Sequence, residues 1–165
     1  DPEFQKRLAH ARICASKKEL DYWQDEENRN KASDLLKPMF DRTNQLFSRF
    51  GSGITGIDRA WKDLAGCRLI EAPGHTPGHS VYAFSVGDKS VLLTGDLVHL
   101  PTVQFPHLDE PEAVDIDPRR GILARTGLFV AAYKKQILVG GGHFPYPGLG
   151  YVKMANGMLE WVQAK

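Results

Sequence analysis

A histidine-rich stretch at residues 71–99 is the feature that most constrains this chain. It reads EAPGHTPGHSVYAFSVGDKSVLLTGDLVH and contains three of the six histidines. Alternating apolar and polar residues predict a β-hairpin over residues 79–94. His75, His79 and Asp96 would then lie at the ends of its strands, where loops can direct them at one point. Imidazole and carboxylate groups arranged in this way are typical of a metal site.

A further candidate ligand, His143, follows another predicted strand and three consecutive glycines. Glycines beside each of these residues allow the backbone to approach a bound ion closely. Neutral imidazole and carboxylate suit zinc, iron or manganese better than calcium or magnesium, which prefer oxygen ligands. For one isolated histidine, a surface or core position would be the simpler interpretation. Three histidines and an aspartate at strand ends favour the metal site instead.

Composition excludes several other classes of function. Lys and Arg total 21 against 20 Asp and Glu, so no electrostatic argument supports a nucleic-acid partner. No apolar segment is long enough to span a bilayer, so no membrane association is expected. Two cysteines cannot form a disulfide framework. The length suits one domain, and a small molecule is the expected substrate.

Helix signals occur at three places in the chain. Ser16 and Glu19 form a capping-box pattern before a helix over residues 17–23, which should fade across residues 24–31. Pro38 suits the first turn of a second helix, whose apolar side chains at helical spacing are interpreted as core. The third helix begins with Asp-Pro at residues 117 and 118.

Strands are predicted from short apolar segments bounded by turn residues. They cover residues 12–15, 53–61, 67–72, 79–86, 90–94, 136–139, 151–155 and 158–162. The continuous apolar run at residues 91–93 suggests a strand that is buried on both faces. Residues 100–115 are rich in proline and lack periodicity, so we expect a long loop there. The order of elements predicts a mixed α/β (α+β) fold.

The sequence resembles the metallo-β-lactamase superfamily of metal-dependent hydrolases. The resemblance rests on Pro73-Gly-His75-Thr-Pro-Gly-His79, on Thr94-Gly-Asp96 after an apolar strand, and on Gly-His143 after another. It implies an αββα sandwich, of which this chain would form the C-terminal half or more. The segment from Gly95 to His99, with Gln104-Phe105 downstream, looks most like the lactonase and organophosphate-hydrolase-like branch.

The resemblance also implies a role for each candidate residue. His75 would bind the first of two zinc ions and His143 the second, while Asp96 would bridge both and orient the attacking hydroxide; iron or manganese could replace zinc. His79 would lie near the metals without binding them. The remaining candidates would shape the pocket: His99, Phe105, Phe144 and Tyr146. For His99, a structural role is equally open. The implied reaction is attack by a dinuclear-metal-bound hydroxide on an ester, lactone, lactam or phosphotriester.

One part of the family pattern is missing. The signature His-x-His-x-Asp-His, which supplies further ligands to both metals, does not occur in these 165 residues. Residues 1–4, Asp-Pro-Glu-Phe, resemble a cloning scar, and residues 5–165 would then be a truncated metallo-β-lactamase-like domain. Catalytic zinc normally has three protein ligands, so we expect the isolated chain to bind zinc weakly and to hydrolyse little.

A different class of function remains open at this point. The chain could be a non-catalytic half-domain, or a proteolytic fragment, that forms a homodimer or needs the missing N-terminal half as a partner. Half of a sandwich would leave a sheet face uncovered, which favours association. A serine or cysteine hydrolase is disfavoured, because Gly-x-Ser-x-Gly is absent and neither Cys14 nor Cys67 has a base nearby in sequence.

Overall fold

A computed structural model of the chain describes residue 11 and residues 13–50, 53–57, 66–87 and 89–164. The proposed cloning scar at residues 1–4 and the end of the strand predicted at residues 53–61 lie outside these ranges. The chain forms two compact units, Asp1–Asp58 and Arg59–Lys165. Both contain helices and strands, which confirms the mixed α/β class. Within the described residues, no helix combines the length and apolar character needed to cross a membrane.

In the first unit, the described residues form a small parallel sheet and three helices. Its elements are β1 (Ile13–Ser16), α1 (Lys17–Gln24), α2 (Glu26–Lys31), α3 (Lys37–Phe50) and β2 (Ile54–Ile57). The strands β1 and β2 pair in parallel. The sequence predicted β1, α1 and α3 correctly. The Ser16 side chain makes no capping hydrogen bond, so that part of the capping-box interpretation is wrong.

The helix α2 was not expected, because its sequence is almost entirely polar. It forms because Asp25 acts as its N-cap: Asp25 Oδ1 accepts hydrogen bonds from the backbone N–H groups of Glu27 at 2.7 Å and Asn28 at 3.2 Å. These bonds satisfy donors that the first turn of a helix leaves without partners. The prediction that helical structure fades over residues 24–31 is therefore wrong.

The apolar stripe of α3 is only partly core. Phe40 is completely buried, and its ring centroid lies 4.6 Å from that of Trp23 and 5.4 Å from that of Tyr22. Leu46, however, keeps 49% of its surface exposed. Among the described residues, helical spacing thus identified the right face of α3 but overstated its burial.

The second unit is built on a six-stranded sheet and one long helix. Its strands are β3 (Cys67–Glu71), β4 (Ser80–Val86), β5 (Lys89–Leu93), β6 (Leu138–Gly140), β7 (Leu149–Ala155) and β8 (Met158–Gln163). They lie in chain order across the sheet, and all neighbours are antiparallel except β5 and β6. The parallel pair is connected by α4 (Pro101–Gln104), a 3-10 turn (Phe105–His107) and α5 (Pro118–Lys135). The predicted hairpin β4–β5 is confirmed, and so are the strands predicted at residues 151–155 and 158–162, which form the hairpin β7–β8.

The core of this unit lies between one face of the sheet and α5. Strand residues on this face, such as Val81, Val139 and Val152, belong to the same buried cluster as Phe129 of α5. The loop expected at residues 100–115 contributes helical turns and buried side chains, so the prediction of a long irregular loop is wrong in part.

The strand β5 is not buried on both faces, contrary to the expectation from its apolar run. Leu92 points into the core at 6% exposure, whereas Leu93 is 40% exposed. Leu93 pairs in register with Tyr82 of β4, which is also 40% exposed. The described residues therefore bury one face of this strand pair and leave the other partly open.

Asp117, the N-cap of α5, offers a test of the local stability of this helix. Its side chain accepts a hydrogen bond from the backbone N–H of Arg120 at 3.1 Å. We expect Asp117→Ala to lower the free energy of unfolding by about 1 kcal/mol, the usual cost of losing an N-cap. Urea unfolding measures this change. Leu123→Ala, at a position on α5 that is 73% exposed, is the control and should change stability by less than about 0.5 kcal/mol.

Candidate metal centre

The sheet topology brings the predicted ligands to one edge. Because β5 and β6 are parallel, their carboxyl ends lie side by side, and the loops carrying Asp96 and His143 begin there. Because β4 is antiparallel to β5, its amino end lies at the same edge, preceded by His75 and His79. The side chain and the backbone N–H of Thr94 both donate to the carbonyl of Gly140, which fastens the β5 and β6 ends together.

Asp96 lies at the middle of this edge and faces two histidines. Its Oδ2 is 3.7 Å from His75 Nε2, and its Oδ1 is 3.4 Å from His143 Nε2. The side chains of Asp96 and His143 are 47% and 46% exposed, while that of His75 is 18% exposed. Each carboxylate oxygen therefore faces a different imidazole on a surface that is partly open.

His79 contacts the backbone of the Asp96 loop. Its Nε2 accepts a hydrogen bond from the backbone N–H of Asp96 at 3.3 Å, and its ring centroid lies 5.9 Å from that of His75. Gly95 makes this contact possible: it has φ +55°, and a Cβ there would lie 3.0 Å from His79 Nε2. The imidazole thus helps to set the conformation of the Asp96 loop.

His99 lies closer to the other histidines than the sequence indicated. Its ring centroid is 5.0 Å from that of His75 and 4.7 Å from that of His143. One ligand atom each from His75, Asp96 and His99 lie within 4.8 Å of one another. His99 Nδ1 is 2.7 Å from Glu112 Oε2, so its other ring nitrogen is the one available to a metal.

Asp115 and Arg125 belong to the site, and the sequence interpretation missed both. Asp115 Oδ1 lies 3.5 Å from His75 Nδ1, and its Oδ2 accepts a hydrogen bond from Arg125 at 3.2 Å. Burial by itself would raise the pKa of Asp115, but the nearby His75 and Arg125 outweigh it and hold the pKa below its ordinary value. Asp115 is therefore a fully ionised partner for His75 at neutral pH.

A sequence signal for Arg125 exists in the spacing of α5. The buried residues of this helix are Gly121, Arg125, Phe129 and Ala132, which recur every three or four positions. A charged residue in an otherwise small or apolar helix face indicates a buried ion pair. No comparable local signal marks Asp115, whose position depends on the loop that it ends.

Two glycines allow the His75 loop to pack onto the start of α5. A Cβ at Gly74, which has φ +148°, would lie 2.1 Å from the backbone nitrogen of Gly121. The carbonyls of Gly74 and His75 accept hydrogen bonds from the backbone N–H groups of Asp117 at 2.9 Å and Ile116 at 3.2 Å. The ligand loop is thereby attached to the segment that carries Asp115.

Of the four residues expected to shape a pocket, His99 lies beside the candidate ligands, and the other three lie in different surroundings. Phe105 and Phe144 are 1% and 7% exposed and belong to the hydrophobic core, a location that favours packing over contact with a substrate. Tyr146 is 93% exposed. Their predicted role at the pocket stays a prediction.

The donor chemistry of the cluster fits zinc. Imidazole nitrogens and carboxylate oxygens are its usual ligands beside cysteine, and catalytic zinc takes three of them while leaving one position for water. His75, Asp96 and His99 provide three such donors, whose ligand atoms lie close enough together to bind one ion after small side-chain movements. His143 adds a fourth on the other side of Asp96.

The comparisons with known proteins agree with this fold. The family model of the metallo-beta-lactamase superfamily matches residues 2–153, and the chain belongs to this superfamily of hydrolases. A crystal structure of the hydrolase AbOPH in the beta lactamase superfamily is 25% identical in sequence with a TM-score of 0.83, and the match covers 93% of this chain and 55% of AbOPH.

A second solved relative is AidC, a dizinc quorum-quenching lactonase crystallised with the product N-hexanoyl-L-homoserine. It is 26% identical with a TM-score of 0.77, and the match again covers 93% of this chain and 55% of the relative. A probable metal-dependent hydrolase from Staphylococcus aureus, 14% identical with a TM-score of 0.57 over 79% of this chain and 43% of its own, shares the fold. No curated protein matches the chain. The chain thus spans about half the length of the solved relatives.

Proposed function

We propose that this chain carries part of the metal centre of a zinc-dependent hydrolase that opens lactones. The observation that carries the proposal is the position of Asp96, whose two oxygens face His75 and His143 separately. A carboxylate in this position suits a bridge between two metal ions. His75 would bind one ion and His143 the other, with His99 as an additional donor beside His75.

Zinc, when bound, would lower the pKa of a coordinated water and polarise the carbonyl of the substrate. The residues of the chain hold and orient the groups that take part in that chemistry. Asp96 holds the ligand set together and orients the nucleophile, and His79 supports the Asp96 backbone through its hydrogen bond. Asp115 and Glu112 each contact the Nδ1 of a histidine and so orient the rings of His75 and His99.

The relatives support a choice of substrate class. AidC is a lactonase, and its similarity extends over 93% of this chain. Among the esters, lactones, lactams and phosphotriesters that such a centre could attack, lactones are therefore the class to test first. The expected result is that the zinc-loaded chain opens N-hexanoyl homoserine lactone faster than a β-lactam or a phosphotriester, measured by proton release with a pH indicator. Turnover of either other class in preference to the lactone would contradict the proposal.

The alternative of a non-catalytic half-domain has no observation in its favour among the described residues. Association with a second copy or with another chain stays a prediction from the sequence. Light scattering of the purified chain tests it directly.

Zinc binding by the isolated chain can be measured independently of turnover. Without the His-x-His-x-Asp-His signature, we expect weak binding that a chelator reverses, because two ions would share the four donors of this cluster, fewer than three protein ligands for each ion. Isothermal titration with zinc measures the affinity and the number of sites. His75→Ala should weaken binding further, while His107→Ala, at an exposed histidine 3.7 Å from Glu110, should not. Two tight sites per chain would contradict this expectation.

A further inference from the structure

Arg125 is a buried cation with an unusually complete set of partners. Its side chain is 1% exposed and lies 2.9 Å from Glu112 Oε1 and 3.2 Å from Asp115 Oδ2. It also donates hydrogen bonds to the backbone carbonyls of Leu97 at 3.1 Å and Glu110 at 3.4 Å. One guanidinium therefore connects the loop after β5, the segment before α5 and α5 itself.

Each of the two carboxylates continues to a different histidine. Glu112 Oε1 contacts Arg125, and Glu112 Oε2 lies 2.7 Å from His99 Nδ1. Asp115 Oδ2 contacts Arg125, and its Oδ1 lies 3.5 Å from His75 Nδ1, a longer contact that does not meet hydrogen-bond geometry as the Glu112–His99 contact does. The side chains of Glu112 and Asp115 are 10% and 0% exposed, so water competes little for these contacts.

A carboxylate can only accept hydrogen bonds, so it selects the ring form in which Nδ1 carries the hydrogen. The lone pair then resides on Nε2, which is the nitrogen that His75 directs toward Asp96 at 3.7 Å. Carboxylates that hold metal-binding histidines in this way fix both the ring orientation and the tautomer. We call each carboxylate with its histidine one arm: Glu112 with His99, and Asp115 with His75. Because both arms contact Arg125, one arginine would orient two ligands together.

We propose that Arg125 is a positioning residue that acts through Glu112 and Asp115 to hold His99 and His75 with Nε2 directed toward the metal centre at Asp96. The inference rests on the function proposed above, since that function includes the metal that the oriented nitrogens would bind. The planar guanidinium matters because one nitrogen, Nη1, faces Glu112 and the other, Nη2, faces Asp115. A lysine ammonium is a point charge and cannot contact two carboxylates with this geometry.

The two arms make the proposal testable by selective variants. Glu112→Met removes the acceptor for His99 and leaves the carboxylate beside His75, Asp115→Ala removes the carboxylate beside His75 and leaves the acceptor for His99, and Arg125→Lys weakens both contacts. Arg119→Lys, at an exposed position of the same helix, is the matched control. The chain is labelled with ¹⁵N-histidine and kept free of metal, and long-range ¹H–¹⁵N correlation spectra report which nitrogen of each ring carries the hydrogen.

The expected pattern is specific. In the unmodified chain, His75 and His99 carry the hydrogen on Nδ1. Glu112→Met shifts the tautomer signals of His99 alone, Asp115→Ala shifts those of His75 alone, Arg125→Lys shifts both, and Arg119→Lys shifts neither. Circular dichroism checks that each variant is folded. If Arg125→Lys fails to fold, the two single-arm variants still decide the question.

Two results would overturn the proposal: unchanged His75 and His99 tautomers in every folded variant, or equal shifts of both rings in each single-arm variant. Titration with zinc alone then separates this inference from the proposed function. We expect each single-arm variant to lose about 10- to 100-fold in zinc affinity. Tautomer shifts in a chain that binds no zinc would support the positioning role and contradict the metal centre. Lost zinc affinity with unchanged tautomers would support the metal centre and contradict the positioning role.

Discussion

Asp96→Asn is expected to reduce the zinc affinity and the lactone turnover of this chain by at least about 100-fold, because losing a mere hydrogen-bond partner of a metal ligand already costs about 10- to 100-fold. The amide keeps the size of the carboxylate but loses its charge, so it cannot hold two cations near each other. In the structure, both oxygens of Asp96 face histidine nitrogens, and the substitution removes the negative charge from both contacts at once.

Equilibrium zinc titration and initial lactonase rates measure this effect. Glu160→Gln makes the same carboxylate-to-amide change at an exposed position of β8 and should leave both quantities unchanged. Urea unfolding of the metal-free proteins shows whether the Asp96 variant is folded. A folded Asp96→Asn chain that binds zinc as the unmodified chain does would show that Asp96 is not a ligand.

Gly121→Ala is expected to destabilise the second unit by about 1–3 kcal/mol, the usual cost of overpacking a filled site. A Cβ at this position would lie 2.2 Å from Asp115 Oδ2, far inside contact distance. Asp115 cannot move away freely, because it is buried and contacts Arg125 and His75. The nearest backbone of the His75 loop, at Gly74, also packs against Gly121.

The same helix contains a matched control with the opposite expected sign. Gly127 also lies inside α5, but a Cβ there would meet nothing within 4 Å. Gly127→Ala should therefore stabilise the chain by about 0.5–1 kcal/mol through helix propensity and reduced freedom of the unfolded chain. Urea unfolding of both variants measures the difference. Equal effects of the two substitutions would show that the contact between Gly121 and Asp115 does not restrict the fold.

The local pattern of the chain was sufficient to predict most strands and helices of the second unit. The hairpins and the start of α5 were predicted correctly because alternation, turn residues and caps act over a few positions. The same patterns placed His75, Asp96 and His143 at strand ends, and the structure brings these residues together. Their roles as metal ligands stay predictions.

The errors came from features that depend on distant parts of the chain. The apolar run of Val91, Leu92 and Leu93 predicted a strand buried on both faces. Burial depends on which other elements cover each face, and a local sequence pattern does not contain this information. The polar segment of α2 read as irregular, because the effect of one N-cap was underestimated.

By itself, then, the sequence determined the superfamily and the edge of the sheet at which the candidate ligands gather, since both follow from short motifs and strand ends. Only the tertiary structure decided how those ligands are held. His99, Glu112, Asp115 and Arg125 come from separate loops and a helix, and they meet because α5 packs one face on the sheet and carries Arg125 inward. Contacts of that kind depend on long-range packing, which no local pattern encodes.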